Sequence, residues 1–493
     1  MRTFRDHLAD LESAGLLERM DAPVDPEWEL ASVARWLYHG FDDADRFALY
    51  FEDVAGYDMP VVAAALGASR RTYLQGLGLP PDAEPEAVHD RWHRALSNHR
   101  DPTLVSTAPV QQRVATGADA SLGDLPVPVW TPAKDPDPYL TAVVVTKNRE
   151  TGVRNMAIYR CQVVDETTIA INISARRHAF MDYQSYAESG DPAPVAIAVG
   201  ASPAVHYSSI TNVDYEVDEA ALAGGLLGEP LEMVRAETVD LDVPAAAELV
   251  IEGEIDPEAR RPEGPFGEFA GYMGHRSEKP VIDVTAVTAR SDPVFYSLMG
   301  QVPPSEDHTI QSISNAALYR EELVDGGYES VSDLYIDRTY SGILGHGVIA
   351  LDPNSPGEGR DAGIELATGS QLKRVTVVND DVDVRDPLHV AWAVNARADP
   401  SRDATVLEDV YLNPAKDPAV RTDPLDRSDT SKLVIDATVE TIPEDLPPMA
   451  IPPKEDMEAA LDTWAAADVP DPEPKRRMEL LLDRHPGPDV DRP

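Results

Sequence analysis

Apolar positions near the start of the chain recur at helical spacing. Phe4, Leu8 and Leu11 share one face, Thr3 and Asp6 form a partial capping box, and Gly15 provides the stop. A second helix is predicted with Asp25 as its cap and Pro26 in its first turn, burying Leu30, Val33, Ala34 and Leu37. A Pro- and Asp-rich connection over Pro126–Pro138 leads into a different texture of short β-rich runs: Ala142–Thr146, Val195–Val199, Glu248–Ile255, Val281–Thr288 and Val294–Met299. Helical patterns are few between them, so the central region is expected to be a mainly β barrel or sandwich. Beyond about residue 310 the pattern alternates, with helices near Ile310–Leu323 and Leu388–Arg397 and strands at Ile343–Leu351 and Arg374–Val378, which predicts an α/β domain. The last stretch is Pro-rich and charged, with short helices expected near Glu455–Ala466 and Pro474–Leu482 as a tail. No internal repeat stands out.

Composition narrows the function classes. The 493 residues suit roughly three domains. Lys and Arg number 42 against 87 Asp and Glu, a formal charge of −45 spread along the whole chain. Such a surface suits solubility in concentrated salt, where a Debye length of about 3 Å at 1 M screens carboxylate repulsion. Nucleic acid is an unsuited partner, because no basic stripe exists to release counterions from phosphates. No apolar run reaches membrane-span length, and Met1–Met20 carries charges throughout, so a cytoplasmic location is expected. The single cysteine, Cys161, has no disulfide partner and reads as a packed thiol.

The residues with most chemical content form the hexapeptide Glu263, Gly264, Pro265, Phe266, Gly267, Glu268. Proline and two glycines predict an ordered bend, and its two carboxylates can take separate duties if their surroundings differ. A solvated acidic turn is the plain alternative. Asn155 and Arg160 flank apolar residues, and Arg176, Arg177 and His178 follow the strand-like Ile169–Ile173; together they suit an anion or phosphate. Phosphate-loop, dinucleotide, HExxH and nucleophile-elbow motifs are absent. The acidic run Asn379–Asp383 lacks the glycine and glutamate of a calcium loop and reads as a turn after a buried strand.

With these motifs in order, the chain resembles the UbiD-like decarboxylases. The resemblance rests on the opening Phe4–Asp6 and Val24–Pro26, NMAIYR at 155–160, RRHAFMDYQ at 176–184, DEAALAGGLLGE at 218–229 and VPAAAELVIEGEI at 243–255. It continues through PEGPFGEFAGY at 262–272, KRVTVVNDDVDVRD at 373–386 and SKLVIDAT at 431–438. It implies an α+β multidomain fold: an N-terminal α/β domain (1–120), a central split β-barrel flavin-binding domain (121–310), a C-terminal α/β domain (311–450) and a helical tail (451–493).

The implied cofactor is prenylated FMN, supplied by a flavin prenyltransferase, with Mn2+ or another divalent cation and K+ as a further candidate ion. Asn155, His178 and Glu219 match the family's metal ligands, two oxygens and an imidazole. Ile158, Tyr159, Arg160, Asn172, Ile173, Ser174, Arg177, His178 and Lys373 fall where members contact the cofactor. Arg160, Glu263 and Glu268 match the catalytic network: Glu263 anchors Arg160, which fixes flavin and substrate carboxylate. Glu268, beside Phe266 and Phe269, delivers the proton. The implied reaction is the reversible, non-oxidative decarboxylation of an α,β-unsaturated or aromatic acid. Its substrate would be a hydroxybenzoate-like or quinone precursor, or trans-anhydromevalonate 5-phosphate. The resemblance also implies a homo-oligomer, dimeric or hexameric. A split-barrel flavin reductase and a non-enzymatic flavin-binding subunit are the alternatives; neither has a use for Glu268.

Overall fold

The computed structural model describes residues 2–174, 177–337, 345–411, 421–422, 428–439, 449–466 and 476–485. Arg176 lies outside them, as do the start of the strand expected at 343–351 and parts of the tail. The chain divides into two compact units, one reaching Leu318 and the other comprising Tyr319–Asp337 and the described residues from Gly345 onward.

The first unit opens with α1 (Phe4–Ser13), β1 (Leu17–Met20), α2 (Glu29–Gly40), β2 (Ala48–Phe51), β3 (Val61–Ala63), α3 (Arg70–Gly76) and α4 (Pro85–Ser97). The Thr3 and Asp6 capping box forms, and Phe4, Leu8 and Leu11 are buried as their spacing requires. Helix α2 starts later than expected. Asp25 Oδ1 accepts from Glu27 N at 2.8 Å and the Asp25 carbonyl from Glu29 N at 2.9 Å, so Asp25 closes a turn over Pro26–Trp28 that feeds the helix.

Next come β4 (Thr103–Val105), β5 (Arg113–Thr116), β6 (Tyr139–Lys147), β7 (Arg154–Asp165), β8 (Thr168–Ile171), α5 (His178–Ala187), β9 (Ala193–Val199), α6 (Pro203–Ile210) and α7 (Glu219–Leu227). They are followed by β10 (Glu232–Arg235), β11 (Asp242–Pro244), β12 (Leu249–Glu263), β13 (Ser277–Ala289) and β14 (Phe295–Ser297). The order β12-β9-β6-β7-β8-β13, closed by pairing of β12 with β13, makes a six-stranded barrel. Closure removes the free edges an open sheet would expose. Three helices interrupt the expected run of strands. Helix α7 hid from the periodicity because nearly all its residues are buried, leaving no polar face to set a helical rhythm. The Val294–Met299 run belongs elsewhere than the barrel: β14 pairs in parallel with β3, Phe295 opposite Val61.

Helix α8 (Glu306–Asp325) leads out of this unit. Its first residue is a fully buried carboxylate accepting from Ala64 N (3.0 Å), Leu66 N (2.8 Å), Met299 N (3.0 Å) and Tyr296 Oη (2.7 Å), tying the helix start to β3 and β14. Burial pushes the Glu306 carboxyl up to about 7.

The second unit contains β15 (Val331–Ile336), β16 (His346–Leu351), α9 (Glu358–Gly369), β17 (Arg374–Val378), α10 (Pro387–Arg397), α11 (Pro400–Asp403), β18 (Ala404–Tyr411), β19 (Arg421–Thr422) and β20 (Ser428–Asp436). Its sheet runs β15-β16-β17-β20-β18, with β19 on β20. The acidic run after β17 is a turn, Val382 N bonding to Asn379 O, and Arg397 neutralises Asp381 at 2.6 Å. Helices α12 (Lys454–Ala465) and α13 (Arg476–Arg484) form where the tail predicted them. No helix among the described residues is long and apolar enough to cross a membrane.

Candidate active site

Strand β7 carries functional side chains near its start and midway along it. Midway along, Arg160 meets the bend between β12 and β13. Its Nε donates to Glu263 Oε1 at 2.9 Å, Nη2 to Glu263 Oε2 at 3.1 Å and Nη1 to Glu268 Oε1 at 2.5 Å. Glu263 is fully buried and Glu268 is 9% exposed, so the hexapeptide is no solvated turn. Burial works against the Arg160 charge, but Glu268 and Glu263 outweigh it and hold its pKa above the ordinary value. Phe266 places its ring 5.3 Å from the guanidinium carbon, sealing the pair from water on that side.

The bend has its shape for local reasons. Gly264 takes φ +84, and its N–H donates to Tyr139 Oη (3.1 Å) and Gln162 Oε1 (3.0 Å). Gly274 N bonds to Phe266 O and Glu268 N to Tyr272 O, which pins Glu268 in a short hairpin. A Cβ at Gly267 would stand 2.6 Å from Gln301 Cδ, so any larger residue there would have to displace the Gln301 side chain. Gln301 itself sits at φ +80, with its amide oxygen accepting from Thr131 Oγ1 at 2.7 Å and from Arg35. His308 Nε2 lies 2.9 Å from the carbonyl oxygen of Phe269, the residue after the acid.

Near the start of β7, Asn155 is buried. Its Nδ2 donates to Thr146 Oγ1 at 3.0 Å, Thr146 donates to Asp182 at 2.6 Å, and Tyr215 donates to the same carboxylate at 2.5 Å. Asn155 Oδ1 is left buried with no partner. Glu219 opens α7 beside it, with Oε2 accepting from Met156 N at 2.9 Å and Oε1 standing 3.9 Å from His178 Nδ1 at the start of α5. Burial raises the Glu219 pKa, against opposition from His178 and Met156 N–H. An orphaned amide oxygen, a buried carboxylate and an imidazole are a donor set that suits a divalent cation. Among the described residues no group of three His, Cys, Asp or Glu could do so without an amide.

The remaining predicted residues are placed unevenly. Tyr159 is buried, its hydroxyl accepting from Ala179 N at 3.3 Å, and Ile158 is half-buried against the core. Asn172 bonds through its N–H to Arg160 O at 3.2 Å; Ile173 is buried, and Ser174 accepts from Arg177 N at 3.1 Å. Arg177 is exposed at the N-cap of α5. Lys373 lies in the second unit, just before β17. Cys161 is buried, and burial pushes its thiol pKa up. Tyr139 and Gln162, which hold the Glu263 end of the bend, were missed by sequence reasoning. They face each other across β6 and β7, and only strand register reveals that.

Family models of the 3-octaprenyl-4-hydroxybenzoate carboxy-lyases, or UbiD family, match the chain over residues 8–92 (N-terminal domain), 103–303 (Rift-related domain) and 308–437 (C-terminal domain). The chain belongs to the UbiD family. Among solved UbiD-class structures, HmfF from Pelotomaculum thermopropionicum in complex with FMN is 32% identical, with a TM-score of 0.81, covering 93% of this chain and 99% of that one. Vanillic acid decarboxylase from Sedimentibacter hydroxybenzoicus, in closed form, is 27% identical with a TM-score of 0.83 over 95% and 99%. The apo 3,4-dihydroxybenzoic acid decarboxylase from Enterobacter cloacae is 26% identical with a TM-score of 0.76 over 93% and 99%. The protein is thus a carboxy-lyase by family, and the Arg160 network lies in its Rift-related domain.

Proposed function

We propose that this UbiD-family chain is a reversible, non-oxidative decarboxylase of an α,β-unsaturated or aromatic carboxylic acid, with Glu268 as proton donor. The carrying observation is one guanidinium shared by two carboxylates of a single bend. Evolved dimeric HmfF, 32% identical to this chain, is described in complex with prFMN, which supports prenylated FMN as the cofactor here. When bound, that cofactor supplies an acceptor for the electrons that departing CO2 leaves behind. Asn155, His178 and Glu219 would hold its divalent cation, Mn2+ by preference.

The chain's own residues then divide the work. Glu263 takes two N–H groups of Arg160 and fixes its plane, leaving the outer edge of the fork for a substrate carboxylate. Tyr139 and Gln162 keep Glu263 and the Gly264 amide in register. Glu268 shares one hydrogen bond with Arg160, and a protonated Glu268 released from it can hand its proton to the carbon that loses CO2. Relatives named for vanillic and 3,4-dihydroxybenzoic acid favour an aromatic acid over trans-anhydromevalonate 5-phosphate. A flavin reductase would leave both glutamates without a role.

Glu268→Gln tests the reading. Coexpressed with a flavin prenyltransferase, the variant is expected to keep the cofactor's absorption spectrum and lose CO2 release from the acid a screen identifies. Turnover at the wild-type rate would overturn the donor assignment.

A further inference from the structure

Decarboxylation with protonation, R–CO2⁻ + H⁺ → R–H + CO2, consumes one proton per turnover, so the donor must be recharged from solvent each cycle. Glu263 is sealed, and Glu268 is nearly so and bound to Arg160. One half-buried amine belongs to the strand that borders this network. Ser277 of β13 pairs with Glu263 of β12, and Lys279, two residues along, projects from the same face of the ladder. That diagonal spacing is about 7–8 Å, within reach of a lysine side chain. Lys279 is half-buried, and among the described residues its ammonium makes no hydrogen bond or ion pair. It does lie within electrostatic reach of Glu263, Arg160 and Glu268. Directly across the ladder is exposed Arg261; Glu278, also exposed, projects from the opposite face. Burial lowers the pKa of the Lys279 amine, with Arg160 adding to the effect and the two glutamates opposing it.

We propose that Lys279 is a proton-relay residue that recharges Glu268 from solvent, acting through Glu268 without touching the reacting atoms. The proposal rests on Glu268 being the proton donor. In the step, a Lys279 N–H bond breaks and a Glu268 O–H bond forms, directly or through one water, and the neutral amine then takes a proton from hydronium or a buffer acid. No electrons change hands.

The test uses holoenzyme reconstituted with prenylated FMN. CO2 release and exchange of the product's C–H hydrogen with D2O are measured from pH 6 to 9 for wild type, Lys279→Met, Lys279→Arg and Glu268→Gln. Lys279→Met is expected to lose about tenfold or more in kcat and exchange rate, with KM and cofactor spectrum unchanged, and added ethylammonium to restore both rates. Lys279→Arg keeps the charge but cannot give up a proton, so it is expected to stay slow. Wild-type rates in Lys279→Met, full recovery in Lys279→Arg, or a loss that ethylammonium leaves untouched would each overturn the relay. An active Glu268→Gln would instead remove the donor reading on which the relay depends; an inactive Glu268→Gln beside an unaffected Lys279→Met would remove the relay alone.

Discussion

The two polar clusters that β7 supports, around Arg160 and around Asn155, differ in how completely their polar atoms are used. In the Arg160 cluster, the guanidinium, two carboxylates, Tyr139 and Gln162 satisfy one another, and Phe266 covers them. In the Asn155 cluster, Nδ2 is bonded but Oδ1 is buried without a partner, and Glu219 Oε1 reaches only toward His178 at 3.9 Å. A buried polar group without a partner costs roughly 1–3 kcal/mol. The first cluster is therefore self-sufficient, whereas the second leaves a buried acceptor unmatched, as the proposed cation site requires.

Breaking the first cluster should have the larger effects. Glu268→Gln is expected to lower turnover by roughly 10²–10⁴-fold, read as CO2 release, with little change in unfolding midpoint. Arg160→Met leaves Glu263 buried and uncompensated, and should cost about 3–5 kcal/mol in urea unfolding at fixed salt. A loss below about 1 kcal/mol would show that the carboxylate finds another partner or water. Asn155→Ala makes the opposite trade: apo stability should change by less than about 1 kcal/mol, because an orphan oxygen leaves along with one hydrogen bond. Its Mn2+ affinity, by titration calorimetry, should fall clearly; unchanged affinity would detach Asn155 from the cation.

Glu306 sharpens the contrast as a buried carboxylate held by neutral donors, with no cation bonded to it among the described residues. Its pKa is raised from 4.5 to about 7, so the folded state binds this proton more tightly than the unfolded chain. Its contribution to stability is fully present below about pH 4.5 and is lost as pH rises through about 7, on the order of 3 kcal/mol. Urea midpoints from pH 5 to 8 should show a falling difference between wild type and Glu306→Gln; parallel curves would refute the raised value. A similarly small effect, about 1 kcal/mol, is expected of Tyr139→Phe in urea unfolding, since Gln162 still accepts from Gly264 N.

Much of this was legible in the chain. The apolar spacing in α1, the all-apolar β9 and the two glutamates around Gly264-Pro265 are local signals, and each produced the element expected. What failed to show had a physical reason. Helix α7 is buried on nearly every side and so has no rhythm, and β14 reads like its neighbours although its hydrogen bonds go to β3. Tyr139, Gln162 and Lys279 look like ordinary strand residues until register sets them beside Glu263.

By itself, then, the sequence determined the elements with a clear periodicity, the acidic charge and the residue types at the site, because helix spacing, turn chemistry and motif order are properties of neighbours along the chain. Only the tertiary structure decided that Arg160 holds both glutamates at once, that Asn155 Oδ1 is orphaned and that Lys279 faces the network. Those facts depend on which strands pair and in what register, and pairing between residues a hundred positions apart leaves no mark on either partner alone.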